Sequence, residues 1–326
     1  MNSAAVTRKA GSSAGIGLAP PGKAGDRVFR LLTWLMAMMV LLLLVLVGWT
    51  LCKGSALSFA KFGWHFFGHS NWDPVNGDFG ALPFIFGTFV SSFLGLLIAL
   101  PLSLGTAVYL TELAPGWMRQ PAISMIEMLA AIPSVVFGLW GMWVLAPWLQ
   151  HYPFPLLQKY LGFLPLFQGP ISARCLLSAA IIIAIMILPI ITSISREVFR
   201  AVPDSQREAA FALGATRWEV TRLAVLRYSV RGLFGAAMLG LGRALGETMA
   251  VTMMIGNSDK ISASLFSPGQ TLASKMANEY AETTPGSVHL SALFELGLML
   301  LLVTVVTNIL ARLLIGAMGG RRPAGT

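Results

Sequence analysis

The stretch Leu31–Leu51, LLTWLMAMMVLLLLVLVGWTL, decides the class of this chain. It holds no charge over 21 residues, and Arg27 and Arg30 stand directly before it. At about 1.5 Å of rise per residue such a run just spans a hydrocarbon core of about 30 Å. A cleaved leader is the competing reading, but its apolar region would be about 7–15 residues long and would end in small residues. Here the run ends in Gly48-Trp49-Thr50-Leu51, so an uncleaved transmembrane helix is expected. Leu51 before Cys52 also argues against a lipoprotein site.

Five further apolar segments follow, near Phe84–Leu110, Ile123–Leu149, Ile171–Ile194, Leu233–Ile255 and Leu290–Ile315. Each is long enough to cross a bilayer. Pro101, Pro133 and Pro189 fall inside three of them and are expected to mark kinks. Composition agrees: 56% of the 326 residues are hydrophobic and only 11% are charged. An average soluble domain carries about 25% charged residues. The mean hydropathy is +0.72. A disordered chain and a soluble globular enzyme are both excluded, because too few polar residues exist to cover a body of this size. The expected fold class is all-α, a polytopic integral membrane protein with six transmembrane helices.

The net charge is +9, from 23 Lys and Arg against 14 Asp and Glu. With the N-terminus inside, the inner segments hold sixteen basic residues. These include Arg8, Lys9, Lys23, Arg119, seven arginines from Arg196 to Arg231, and Arg321 and Arg322. The outer loops hold five: Lys53, Lys61, Lys159, Lys260 and Lys275. Arg174 and Arg243 fall in apolar segments. This bias places both termini in the cytoplasm. It also accounts for the positive charge without nucleic acid, since the basic residues form no contiguous face. The chain divides into a disordered cytoplasmic tail (1–27), a first transmembrane helix (28–52), a periplasmic loop (53–83) and a core of five spans (84–315). That core contains a cytoplasmic loop (195–230), and a second cytoplasmic tail (316–326) follows it.

The loop carries Pro203-Asp204-Ser205-Gln206-Arg207-Glu208-Ala209-Ala210-Phe211-Ala212-Leu213-Gly214. Asp204 or Ser205 can cap a helix, Glu208 to Leu213 are good helix formers, and Gly214 sits where a helix would stop. A plain amphipathic surface helix satisfies the same composition. Yet Glu208-Ala209-Ala210, three residues and then Gly214 resembles the EAA signature of ABC-importer permeases. That family's signature continues Ile-x-Leu-Pro, whereas this chain has Ala224-Val225-Leu226-Arg227. The stretches Thr111–Pro115, Glu127–Gly141 and Gly240–Thr252 resemble the PstC-type permease subunits of phosphate importers, and the likeness covers roughly 84–312.

The resemblance implies a type I ABC importer permease fold and a transport subunit with no catalysis of its own. Glu208, Ala209, Ala210 and Gly214 would form the coupling helix docked on an ATPase dimer (PstB-type). A second homologous permease (PstA-type) would complete the path through the bilayer, and a periplasmic phosphate-binding protein (PstS-type) would deliver the ion at the inner membrane. ATP would be used by the partner ATPase, and no cofactor would be bound by this chain. Another oxyanion, sulfate or molybdate, remains an alternative cargo. So, from a different class, does a scaffold or sensor role for the membrane protein.

Arg243 and Glu247 interrupt the fifth apolar segment. An Arg at the bilayer centre costs about 2.5–3.5 kcal/mol on insertion scales. At i and i+4 the two can neutralise each other on one helix face. Alternatively Arg243 offers parallel hydrogen bonds to a phosphate, while Glu247 keeps its binding weak enough for passage. The resemblance favours this substrate path. Glu127 and Glu295 are also embedded, and neither has an evident partner in the sequence.

The remaining motifs are weak. Gly240, Gly242 and Gly246 lack the preceding strand of a dinucleotide fingerprint, and Gly242 and Gly246 have the small-x-x-x-small spacing of close helix packing instead. His65 and His69 share metal-like i,i+4 spacing within an aromatic interfacial stretch, but no metal site is expected. The chain has no phosphate-binding Gly-x-x-x-x-Gly-Lys-Ser/Thr loop, so ATP hydrolysis by that route falls to another chain. Two cysteines form no disulfide framework.

Overall fold

A computed structural model describes residues 23–317, with no account of the side chains of 23, 24 and 317. The expected tails therefore lie largely outside the described residues, as do Arg8, Lys9, Arg321 and Arg322. Residues 23–27, expected in the disordered tail, are instead the first turns of a helix.

The helices are α1 (Lys23–Gly54), α2 (Ala56–Phe62), α3 (His65–Gly68), α4 (Leu82–Val108), α5 (Gly116–Ala131), α6 (Ser134–Trp140), α7 (Ala146–His151) and α8 (Pro153–Leu161). They continue with α9 (Leu176–Arg200), α10 (Asp204–Ala212), α11 (Arg217–Val220), α12 (Arg227–Leu245), α13 (Met249–Met254), α14 (Leu272–Glu279) and α15 (Val288–Ala317). Strands β1 (Trp72–Asp73) and β2 (Asp78–Phe79) pair antiparallel, Trp72 opposite Phe79.

The chain divides into two units at Thr50. The first unit is most of α1, whose apolar window has no buried residue. A helix apolar all round with no buried face needs lipid or protein around it.

In the second unit, α4 and α9 form the central pair. The buried face of α4 carries a small residue at every fourth position: Gly87, Ser91, Gly95, Ala99, Ser103 and Ala107. Small side chains let backbones approach closely, which drives helix association where lipid removes the hydrophobic advantage. A Cβ on Gly95 would stand 2.7 Å from Ile183 Cγ2 of α9. Ser103 Oγ also donates to the Leu188 carbonyl of α9 at 3.2 Å.

Two apolar clusters mark opposite ends of these helices. Phe66, Trp72, Phe79, Phe84, Leu272 and Leu293 gather at the start of α4. Ala107, Phe199, Val202 and Val225 gather where α4 and α9 finish. The α4 and α9 chains thus run the same way, and α12 returns toward the first end, where the Gly269 N–H donates to the Ile255 carbonyl at 3.0 Å.

The sequence predicts six transmembrane helices, and the described helices supply four or five of them on length and apolarity alone. Among the described residues, four helical stretches are long and apolar enough to cross a membrane: Gly25–Gly54, Leu82–Leu113, Leu176–Arg200 and Val288–Gly316. A fifth consists of Gly116–Ala131 and Ser134–His151, bent by 92° at their junction. Pro133 sits in that junction, where it cannot donate a helical hydrogen bond. Pro101 and Pro189, by contrast, lie inside continuous helices. The segment expected at Leu233–Ile255 ends its helix at Leu245 and resumes only at Met249. Arg174 precedes α9 and lies in a loop, not in a span.

Candidate functional site

The first candidate site is the segment that joins α9 to α12. Pro203, not Asp204 or Ser205, is the N-cap residue of α10, and its fixed φ of −59° suits that place. Asp204 occupies the first turn, where a carboxylate suits the helix dipole. At the far end Gly214 adopts φ +81°, and the Gly214 and Ala215 N–H groups donate back to the Phe211 and Ala210 carbonyls. A left-handed residue after the last helical turn is the usual reason for glycine there.

No residue of α10 is buried. Glu208 and Ala209 are exposed, Ala210 is half-buried, and Leu213 and Trp218 project their apolar surfaces outward with 90% and 63% exposure. Behind them lies a groove of ≈ 540 Å³ whose walls include Ala209, Ala210, Gly214, Leu223 and Ala224. A surface helix that exposes alanines, large apolar side chains and two carboxylates, Asp204 and Glu208, is suited to close docking of a partner.

Thr216 and Glu219 then form a reciprocal capping box that starts α11. Hydrogen bonds from the Thr216 backbone and hydroxyl hold the Glu219 carboxyl below its ordinary range. The path into α12 passes through a widened turn at Thr221–Leu226 and stays helical through Arg227. With Arg at that position the chain keeps the N–H that a proline would remove.

The second candidate site is the end of α12. Arg243 lies in its last turn, where a cation complements the partial negative charge of the helix end. Its side chain is exposed. Glu247 lies beyond the helix, in the connection to α13, and no ion pair joins the two among the described residues. Their i,i+4 spacing therefore does not place them on one helix face. The break begins at Gly246, and the Glu247 N–H reaches the Ala244 carbonyl at 3.3 Å. The structure does not bring Arg243 and Glu247 together with α10.

Several polar groups emerge only from the fold. Glu127 of α5 lies 3.2 Å from Arg196 of α9, a partner that no local spacing announced. Glu295 of α15 is buried, facing the buried Ser58 hydroxyl of α2, and has no ion-pair partner among the described residues. Near the first end, buried Lys275 bridges Glu279 at 2.6 Å and Asp259 at 2.9 Å. Glu279 also accepts from Trp72 Nε1 at 2.9 Å and meets His289 Nε2 at 2.8 Å. Burial pushes the Glu279 carboxyl up, but bonds from Lys275 and His289, the Lys275 charge and the Trp72 indole outweigh it and hold it below the usual range. His69 pairs with Asp78 at 3.0 Å, and no group of three or more His, Cys, Asp or Glu could hold a metal among the described residues.

Comparison with known proteins adds sequence and fold evidence. The family model for the binding-protein-dependent transport system inner membrane component matches residues 99–319. The phosphate transport system permease protein PstC of Pasteurella multocida is 47% identical over 294 residues, 89% of this chain and 91% of that protein. The Haemophilus influenzae protein of the same name is 45% identical over 90% of this chain and 94% of its own length. PstC 2 of Mycobacterium tuberculosis is 39% identical over 91% of this chain and 93% of its own. Among solved structures, the inward-facing MetNI methionine ABC transporter aligns with a TM-score of 0.53 at 15% identity, covering 72% of this chain and 94% of that one. That last likeness concerns the fold alone.

Proposed function

This chain belongs to the binding-protein-dependent transport system inner membrane components, among the PstC-type phosphate permeases, and from that premise we infer that it is the transmembrane permease subunit of an ATP-driven phosphate importer. The reading is carried by 47% identity over 89% of the chain to a protein named for that role. The fold is the mostly helical one of type I ABC permeases, and the protein is integral to a membrane.

The finer assignments follow as proposals. The chain sits in the inner membrane with both termini cytoplasmic, supported by the sixteen-to-five division of basic residues. Its α10, with Glu208, Ala209, Ala210 and Gly214, docks on one subunit of an ATPase dimer. The exposed Leu213 and Trp218 beside it support that role. ATP is bound and hydrolysed on the ATPase, and this chain needs no cofactor. A second homologous permease encloses the path with it, and a periplasmic phosphate-binding protein delivers the ion.

Within the path, Arg243 contacts the passing phosphate. Its side chain is exposed and has no ion-pair partner among the described residues, which leaves its donors available to an anion. Glu247 stands near enough in sequence to limit how long phosphate stays, since passage requires weak binding. Uptake of labelled phosphate by vesicles carrying the assembled complex tests the reading, with unlabelled sulfate and molybdate as competitors. Phosphate alone should compete. Equal competition by sulfate or molybdate would overturn the phosphate assignment and favour a general oxyanion path.

A further inference from the structure

The sequence motif Thr111–Pro115 is remote in sequence from the loop that carries α10, yet the fold brings it to the base of that helix. Glu112 lies in the widened turn Tyr109–Leu113 that ends α4. Its Oε1 stands 3.2 Å from Arg207 Nη2, across 95 residues of sequence. The same guanidinium makes three further bonds. Nη2 donates to the Phe199 carbonyl at 2.9 Å, and Nη1 donates to the Val202 carbonyl at 2.7 Å and to Asp204 Oδ1 at 3.0 Å.

Phe199 and Val202 belong to the last turn of α9 and the residues after it, where helix carbonyls lack intrahelical donors. One side chain thus ties α10 to the ends of both central helices. Only Arg offers donors on a rigid planar fork that can reach four acceptor groups at once. Arg119 of α5 closes the same junction by donating to the Leu110 and Thr111 carbonyls. Beneath these polar bonds, Ala107, Phe199, Val202 and Val225 are fully packed. The arginine and glutamate are about equally shielded, at 19% and 16% side-chain exposure, so water weakens their attraction only in part.

The α10 helix buries none of its own residues, so rigid attachment to α4 and α9 must come from such a bond network. We propose that Arg207 is the positioning residue through which displacement of α10 is passed to the α4–α9 pair, with Glu112 as its counter-ion on α4. This rests on the transport reading above, in which α10 is the element moved by the ATPase. Without the fork, α10 can move with its partner while the spans stay still.

The test uses the complete complex with its ATPase and binding protein, reconstituted in lipid vesicles, with the exposed Cys52 replaced by serine. Spin labels at the exposed positions Leu102 of α4 and Tyr228 of α12 report movement of the spans when ATP is trapped with vanadate. In wild type the label distance shifts. In Arg207→Gln and Glu112→Gln the ATPase stays bound and hydrolyses ATP, but the shift is lost and phosphate uptake per ATP falls about tenfold or more. Arg207→Lys, with a charge but no fork, keeps part of both. A wild-type shift in Arg207→Gln overturns the inference, as does loss of the ATPase on purification, which would make Arg207 a docking residue. A wild-type complex whose spans move without phosphate uptake overturns the transport reading and leaves the inference standing.

Discussion

Arg243 and Glu247, four residues apart, sit on different elements: Arg243 in the last turn of α12, Glu247 past the helix end at Gly246. The two charges therefore do not cancel along one helix face, and the guanidinium is left exposed. Arg243→Gln is expected to abolish phosphate uptake while the complex still assembles, because the substitution removes the charge and no internal bond. Normal uptake by vesicles carrying that variant would sink the role of Arg243 in the path.

Gly214 ends α10 at φ +81°, with open space where a side chain would go. Gly214→Ala therefore meets no clash and costs only the left-handed backbone, about 1–2 kcal/mol. That strain is local to α10, the proposed docking element. Copurification of the ATPase should fall, whereas the thermal stability of the isolated permease in detergent should change little. Undiminished copurification would remove Gly214 from the docking element.

The Lys275–Glu279–His289 cluster should make the protein acid-sensitive. Glu279 has a lowered pKa in the fold, so its contribution to stability is fully present above the unfolded value of about 4.3 and is lost as pH falls through the folded value. Thermal unfolding followed from pH 7 to pH 3 should show a loss beginning near pH 4.3 that is blunted in Glu279→Gln. At neutral pH, Lys275→Met should cost about 3–5 kcal/mol, since it leaves Glu279 and Asp259 without their buried cation.

Gly87 begins the small-residue face of α4 against the chain at Gln270. A Cβ there would collide with the Gln270 carbonyl, which is backbone and cannot turn aside. Gly87→Ala should therefore destabilise by about 1–3 kcal/mol. Gly105→Ala, where nothing lies within 4 Å, is the matched control and should be neutral or slightly stabilising. Equal melting temperatures for the two variants would show that the close approach is not required.

Much of the fold was legible because membrane helices write themselves as long apolar runs. Leu31–Leu51 and Leu290–Ile315 each fall within a helix that the structure forms, and Phe84–Leu110 runs through α4 into the widened turn at its end. The run Ile123–Leu149 reads the same way, yet its helix breaks by 92° at Pro133. Hydropathy counts apolar residues and carries no information on whether a proline kinks a helix or breaks it. That outcome depends on what satisfies the freed carbonyls. The α10 helix was visible from Pro203, the Glu-Ala-Ala run and Gly214, because capping is local chemistry.

The sequence by itself determined that this chain is a helical membrane protein and that a short polar helix interrupts its spans. Those properties follow from residue order at separations of about one helical turn, which the chain states directly. Tertiary structure alone decided the partners of the embedded charges. Glu127 meets Arg196 across 69 residues, Glu112 meets Arg207 across 95, and Arg243 is left without Glu247. Charge pairing depends on distances of a few ångströms in space, and only the packing of α4 against α9 and the end of α12 at Leu245 set those distances.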